Sequence, residues 1–156
     1  MPTATINLTV QSSSFAINTS ATPAAPYTNI GTTAFAVDGQ GHNQDANGKV
    51  EIVTEGGESF IKVKSPGNGV GPGMNLILQI LSDSTTVTFT PLAVVFVGKA
   101  PPSSDISGAI GTNSITVVDS GSTTRPQWEY YIQIQKGSDT TQVGWIDPGI
   151  ENSDEQ

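Results

Sequence analysis

The chain has no cysteine, a single histidine and six basic residues in 156. Without cysteine there is no disulfide scaffold, no thiolate zinc site and no cysteine nucleophile. With His42 as the lone imidazole, no histidine cluster can gather a transition metal. Six basic residues against fourteen acidic ones leave a net charge of −8. A phosphate backbone or an anionic lipid surface therefore meets no basic footprint, which excludes nucleic acid and membrane as expected partners. The longest apolar run, "LAVVFV" at residues 92–97, is far short of the roughly 20 residues of a membrane helix. The start, "MPTATINLTV", has neither the basic nor the apolar region of a secretory leader. On these grounds the expected location of a soluble chain is the cytoplasm.

Charge of either sign is scarce, at 13% of residues, about half of the usual quarter. Polarity comes instead from 35 Ser and Thr residues. Threonine is β-branched and fits a pleated, half-exposed surface, so this habit suits strands. No window has the three-to-four spacing of an amphipathic helix. Short apolar alternations recur instead, separated by clusters of Gly, Pro, Ser and Asn. The expected strands are Thr3–Val10 and residues 14–17, 32–37, 49–54, 59–64, 75–81, 86–97, 114–118, 127–135 and 140–146. The fold class read from them is all-β, a two-sheet antiparallel sandwich of immunoglobulin-like kind. It forms one domain over residues 1–150, followed by an acidic tail at 151–156.

Two hairpins can be written with their registers. In "KVEIVTEGGESFIKVK" a turn at Gly56-Gly57 supplies positive φ angles. It sets Glu55 opposite Glu58, Val53 opposite Phe60, Glu51 opposite Lys62, Ile52 opposite Ile61 and Val50 opposite Val63. Val50, Ile52, Ile61 and Val63 then share the core face. In "WEYYIQIQKGSDTTQVGWI" a turn at Gly137-Ser138 sets Lys136 against Asp139, Ile134 against Thr141, Ile132 against Val143 and Tyr130 against Trp145. The last six of these residues, Ile134, Thr141, Ile132, Val143, Tyr130 and Trp145, share an inward face with Trp128, which leaves Tyr131 outward, with Tyr27 in a loop. Loops 19–30, 65–73 and 98–113 stand out by length, and long loops are where binding function sits.

The most chemically suggestive stretch is "DGQGHNQDANGK", residues 38–49. Asn43, Asp45 and Asn47 alternate ahead of Gly48, as in the front half of a calcium loop, and are the candidate metal ligands. The twelfth position, where a bidentate Glu belongs, holds Thr54, so an ordinary turn explains the composition equally well. Calcium is thus the one candidate cofactor, and the preferred reading is that there is none. "SPGNGVGPG" lacks the Gly-Lys-Ser/Thr ending of a phosphate loop. No serine stands in an elbow context beside a base, and no motif places a pair of carboxylates. The "DPG" at 147–149 reads as a strand terminator, since Pro148 cannot continue a ladder.

The C-terminal hairpin, "WEYYIQIQ…VGWIDPGIEN", resembles a small uncharacterised bacterial family named for Asp-Pro and Glu-Pro pairs. The resemblance covers about the last 30 residues, rests on Asp147-Pro148, and lacks a Glu-Pro pair. It implies a β-sandwich and no activity. The expected function is a non-enzymatic binding or assembly module with a protein or glycan partner. Its contacts would run through loops 19–30, 38–49 and 98–113, or through sheet edges at Thr5 and Thr9. Few lysines guard those edges, which favours a homo-oligomer. Alternatives are a calcium-dependent or carbohydrate-binding domain, and a carboxylate hydrolase using Asp38 and Asp45.

Overall fold

The computed structural model describes residues 3–56, 58–64, 74–97, 106–119, 127–147 and 150–153. The protein is all-β. In chain order the strands are β1 (Thr3–Val10), β2 (Ile30–Phe35), β3 (Val50–Glu55), β4 (Glu58–Lys64), β5 (Met74–Ser82) and β6 (Phe89–Val97), then β7 (Ile106–Ile110), β8 (Ser114–Asp119), β9 (Gln127–Lys136), β10 (Val143–Ile146) and β11 (Ile150–Ser153). A 3₁₀ turn occupies Ser12–Ser14, and the strand expected at 14–17 does not form. Among the described residues no helix is long and apolar enough to cross a membrane. The loop expected at 65–73, residues 98–105 of the next long loop, and the tail from 154 onward lie outside the described residues.

β1 sets the pattern. Ala4, Ile6, Leu8 and Val10 are all fully buried, while the intervening threonines and Asn7 face the other way, the period-two alternation of a strand with one core face. Its sheet runs β2-β1-β5-β8-β7. Thr5 and Thr9 are therefore not on an edge, because β1 has a neighbour on each side; the edges are β2 and β7. The β1–β5 ladder is parallel over all eight residues of β1, from Thr3↔Asn75 to Val10↔Ser82. This corrects the expectation of purely antiparallel sheets. A parallel neighbour needs a long crossover, and here the connection passes through β3 and β4 of the other sheet before returning.

The second sheet has the order β10-β9-β11-β4-β3, with β6 also paired to β9. The β3–β4 hairpin has the expected register at every pair from Val50↔Val63 to Glu55↔Glu58. The second hairpin does not. β10 pairs as Val143↔Gln135, Trp145↔Gln133 and Ile146↔Ile132, three positions away from the expected register. The turn is longer than two residues, and side chains explain why. Asp139 Oδ1 accepts from the Thr141 amide at 2.9 Å and hydroxyl at 2.7 Å, while the Gly137 amide donates outside the turn, to the Thr88 carbonyl at 2.8 Å. An odd shift moves a strand's side chains to the opposite face. Val143 and Trp145 thus stand with Gln133 and Gln135, away from Tyr130, Ile132 and Ile134.

Residues 151–153, expected to begin the acidic tail, instead form a ladder with Ile150 as β11. Ile150 pairs with Trp128 of β9 and, in parallel, with Ile61 of β4. From Ile146↔Ile132 to Ile150↔Trp128 both strands advance by four residues. β10 and β11 are therefore one interrupted strand in unbroken register, and Asp-Pro-Gly marks the interruption rather than the end. One hydrophobic cluster draws on both sheets, joining Ile6, Leu8, Leu78 and Ile115 to Ile61, Tyr130, Ile132 and Ile146. Each such side chain contributes about 1.5–3 kcal/mol by burial.

A polar cleft beside the interrupted strand

The interruption opens the sheet. The β4–β11 ladder begins at Ile61↔Ile150. Ahead of that pair β11 does not extend along β4, and Phe60 and Ser59, which pair with β3 on their other side, line a cleft of about 720 Å³ together with Asp147 beyond β10. The rest of the lining includes Thr28 and Asn29 of the segment leading into β2, Thr33 of β2 itself, and Gln11. Gln11 is held there by its amide, which donates to the Asn29 carbonyl at 3.0 Å. Its side chain lies across Gly31, where an added Cβ would stand 2.7 Å from Gln11 Cγ.

The segment from Phe15 to Thr28 reaches this place by fastening to β10. The Asn18 amide donates to the Val143 carbonyl at 2.7 Å, and the Thr28 amide to the Trp145 carbonyl at 2.8 Å. These bonds occupy the strand edge of β10, which would otherwise offer free acceptors. Gly144 permits the close approach: a Cβ there would collide with the Ala16 carbonyl oxygen and stand 3.2 Å from Phe15 Cε2. Thr28 is buried, and its Oγ1 accepts from the Ala16 amide at 2.9 Å. Trp145 is 1% exposed even though it faces away from the main core, because this segment covers it. Its Nε1 donates to the Ser20 carbonyl at 3.1 Å. Thus Trp145 is structural, but in a second apolar patch rather than the one expected for it.

Tyr27 completes the cleft wall. Its ring stacks on that of Tyr131, with centroids 5.4 Å apart and planes 27° apart. Tyr131 is buried, so it supports Tyr27 from behind, whereas Tyr27 is half-exposed and lines the cleft. The lining is therefore one aromatic ring on a rigid base, a second ring at Phe60, a set of hydroxyls and amides, and the carboxylate of Asp147. Such a surface can stack against an apolar ring face and hydrogen-bond around its rim.

The 38–49 stretch lies elsewhere. Asn43 bridges Val37, and Asp45 bridges Ala4, each as an isolated antiparallel contact. Asn47 and Gly48, with φ of +60° and +77°, follow Ala46 at +55°, and the Lys49 amide closes the turn on the Ala46 carbonyl at 3.3 Å, so the left-handed backbone of this turn accounts for Asn-Gly. Asp38 organises the rest of the loop. Its Oδ1 accepts from the amides of Gln40 at 2.8 Å and His42 at 2.9 Å, and His42 Nδ1 is 3.4 Å from Oδ2. Those bonds, the His42 amide first, hold the Asp38 carboxyl below its ordinary pKa. Among the described residues no group of three or more His, Cys, Asp or Glu side chains gathers as a metal site.

Loop 19–30 was a contact candidate in the sequence and does supply Tyr27, Thr28 and Asn29. Gln11, Thr33, Thr54 and Ser59 were not singled out, being short polar residues in a chain full of them; only the interrupted register reveals that they converge. No family model, no curated protein and no solved structure matches this chain.

Proposed function

We propose that this chain is a non-enzymatic binding module, folded as a two-sheet immunoglobulin-like β-sandwich, that holds a glycan in the cleft beside Asp147. The sandwich reading is supported by the hydrophobic cluster that both sheets feed. The glycan reading is carried by the Tyr27–Tyr131 stack in a wall otherwise made of hydroxyls and amides. An aromatic face takes the C–H face of a sugar ring, and amide and hydroxyl groups both donate to and accept from its hydroxyls. The cleft volume of about 720 Å³ is that of a small-ligand site. Asp147 is the only carboxylate among the described lining residues, whereas glycoside hydrolysis ordinarily uses two across the scissile bond. Recognition without cleavage fits that lining. The C-terminal resemblance noted above agrees with the β-sandwich and adds no activity.

The test is a panel of immobilised neutral oligosaccharides, followed by calorimetric titration of those retained. Tyr27→Ala is expected to weaken binding at least about tenfold, or ~1.4 kcal/mol, with the melting temperature nearly unchanged. A panel with no retained glycan, or binding indifferent to both Tyr27→Ala and Asn29→Ala, would overturn the reading.

A further inference from the structure

Charge is divided unevenly between the two sheets. β1, β2, β5, β7 and β8 contain a single charged residue among them, Asp119, the last residue of β8. Glu or Lys occurs in every one of β3, β4, β9 and β11. Up to the Asp119 end of β8, the outer face of the first sheet is consequently without a charged residue in its strands. The register aligns Ala34, Asn7, Gln79 and Ser114 in one row across four strands. Leu81 stands exposed beside this row and Thr116 half-exposed. Within the row, Asn7 Oδ1 is buried without a hydrogen-bond partner, so the face has polar capacity that one copy does not use.

We infer that this face is the contact surface of a homodimer, two copies meeting sheet to sheet about a two-fold axis. The first argument is electrostatic. Two chains of net charge −8 repel each other wherever their acidic residues approach, and this is the broad surface on which none do. The second argument is chemical. A two-fold interface brings a patch against itself, so its groups must complement their own kind. Charged groups fail that requirement, whereas hydroxyls and amides both donate and accept. The third is size. Five strands about 4.8 Å apart and roughly 20 Å long give about 500 Å² in projection, of the order of the ~800 Å² of accessible surface that each partner of a standard interface buries. The edge strands β2 and β7 contain no Lys or Pro to obstruct a neighbour.

Sedimentation equilibrium over a concentration series tests the inference. The full chain is expected to be dimeric at high micromolar concentration. Gln79→Glu with Thr116→Glu sets like charges against each other and should raise the dissociation constant at least about a hundredfold. The same added charge at exposed Gln40 and Thr140 should leave it unchanged. A second readout uses the absence of native cysteine: a nitroxide on Ser114→Cys should lose mobility as the dimer forms, and one on Thr140→Cys should not. A monomer throughout the series would overturn the inference. So would a dimer that survives both Glu substitutions while Ser114 stays mobile, since another surface would then hold the copies together.

Discussion

The ring of Tyr131, a strand residue, lies under that of Tyr27, a loop residue, at 5.4 Å between centroids. The cleft wall is thereby set by the second sheet and not by the loop's own preferences. Replacing Tyr131 with alanine removes a buried ring and should cost about 3 kcal/mol in urea unfolding. Glycan affinity should fall with it. Tyr131→Phe keeps the stack, so it should retain the affinity; equal loss in both variants would mean that the ring contact does not set the wall.

Gly144 should tolerate no side chain. Gly144→Ala places a methyl against the Ala16 carbonyl and Phe15, and the overpacking is expected to cost about 1–3 kcal/mol. The segment between Phe15 and Thr28 would loosen first. Limited proteolysis should cut there in the variant and not in the native chain.

Asp83 ties the 3₁₀ turn to the end of β5. Its Oδ1 accepts from the Ser12 amide at 3.0 Å and hydroxyl at 2.7 Å, and the amide bond foremost lowers its pKa below 3.8. A carboxyl depressed by folding stabilises the protein above its unfolded pKa, and that contribution is lost as pH falls through the folded value. Asp83→Asn should therefore melt lower than the native chain at neutral pH, and the gap should close as pH falls below the ordinary carboxylate range and through the lowered pKa of Asp83. A constant gap across that range would mean that ionisation plays no part.

The Asn47-Gly48 turn gives a fourth prediction. Gly48 has φ +77°, and Gly48→Ala should cost about 1 kcal/mol because a Cβ is disfavoured in that region. Because backbone geometry accounts for these two residues, melting curves in calcium and in chelator are expected to coincide. A calcium-dependent rise that Asp45→Ala abolishes would assign Asn43, Asp45 and Asn47 to a metal after all.

Much of this architecture was legible wherever local chemistry fixed it. Gly56 has φ +59°, and the alternation on both sides of it determined every pair of the β3–β4 hairpin. The second hairpin misled because Gly137-Ser138 resembles a two-residue turn, while Asp139 and Thr141 build a longer one whose bonds have no period. β7 was missed because "ISGAI" has the small residues of a loop, and its pairing to β8 is a tertiary outcome. The parallel partnership of β1 and β5 joins residues about seventy apart, and no local signal encodes it. Tyr131 was correctly read as outward, but its burial depends on a segment that returns from more than a hundred residues earlier. The cleft could not be read at all, since its lining comes from four separate stretches of chain, at Gln11, 27–33, 54–60 and Asp147.

The joint at β11 has a consequence for the order in which the protein comes into being. The β3–β4 hairpin reaches β9 only through β11. A ribosome makes the hairpin early and residues 150–153 after every other described strand. Until then the hairpin has formed its turn, but the edge of β4 that β11 will occupy has no strand beside it. Completion of the second sheet is thus linked to translation of the segment just past Asp-Pro-Gly, and a chain released before that point presents the edge of β4 as an open template for a strand of another molecule.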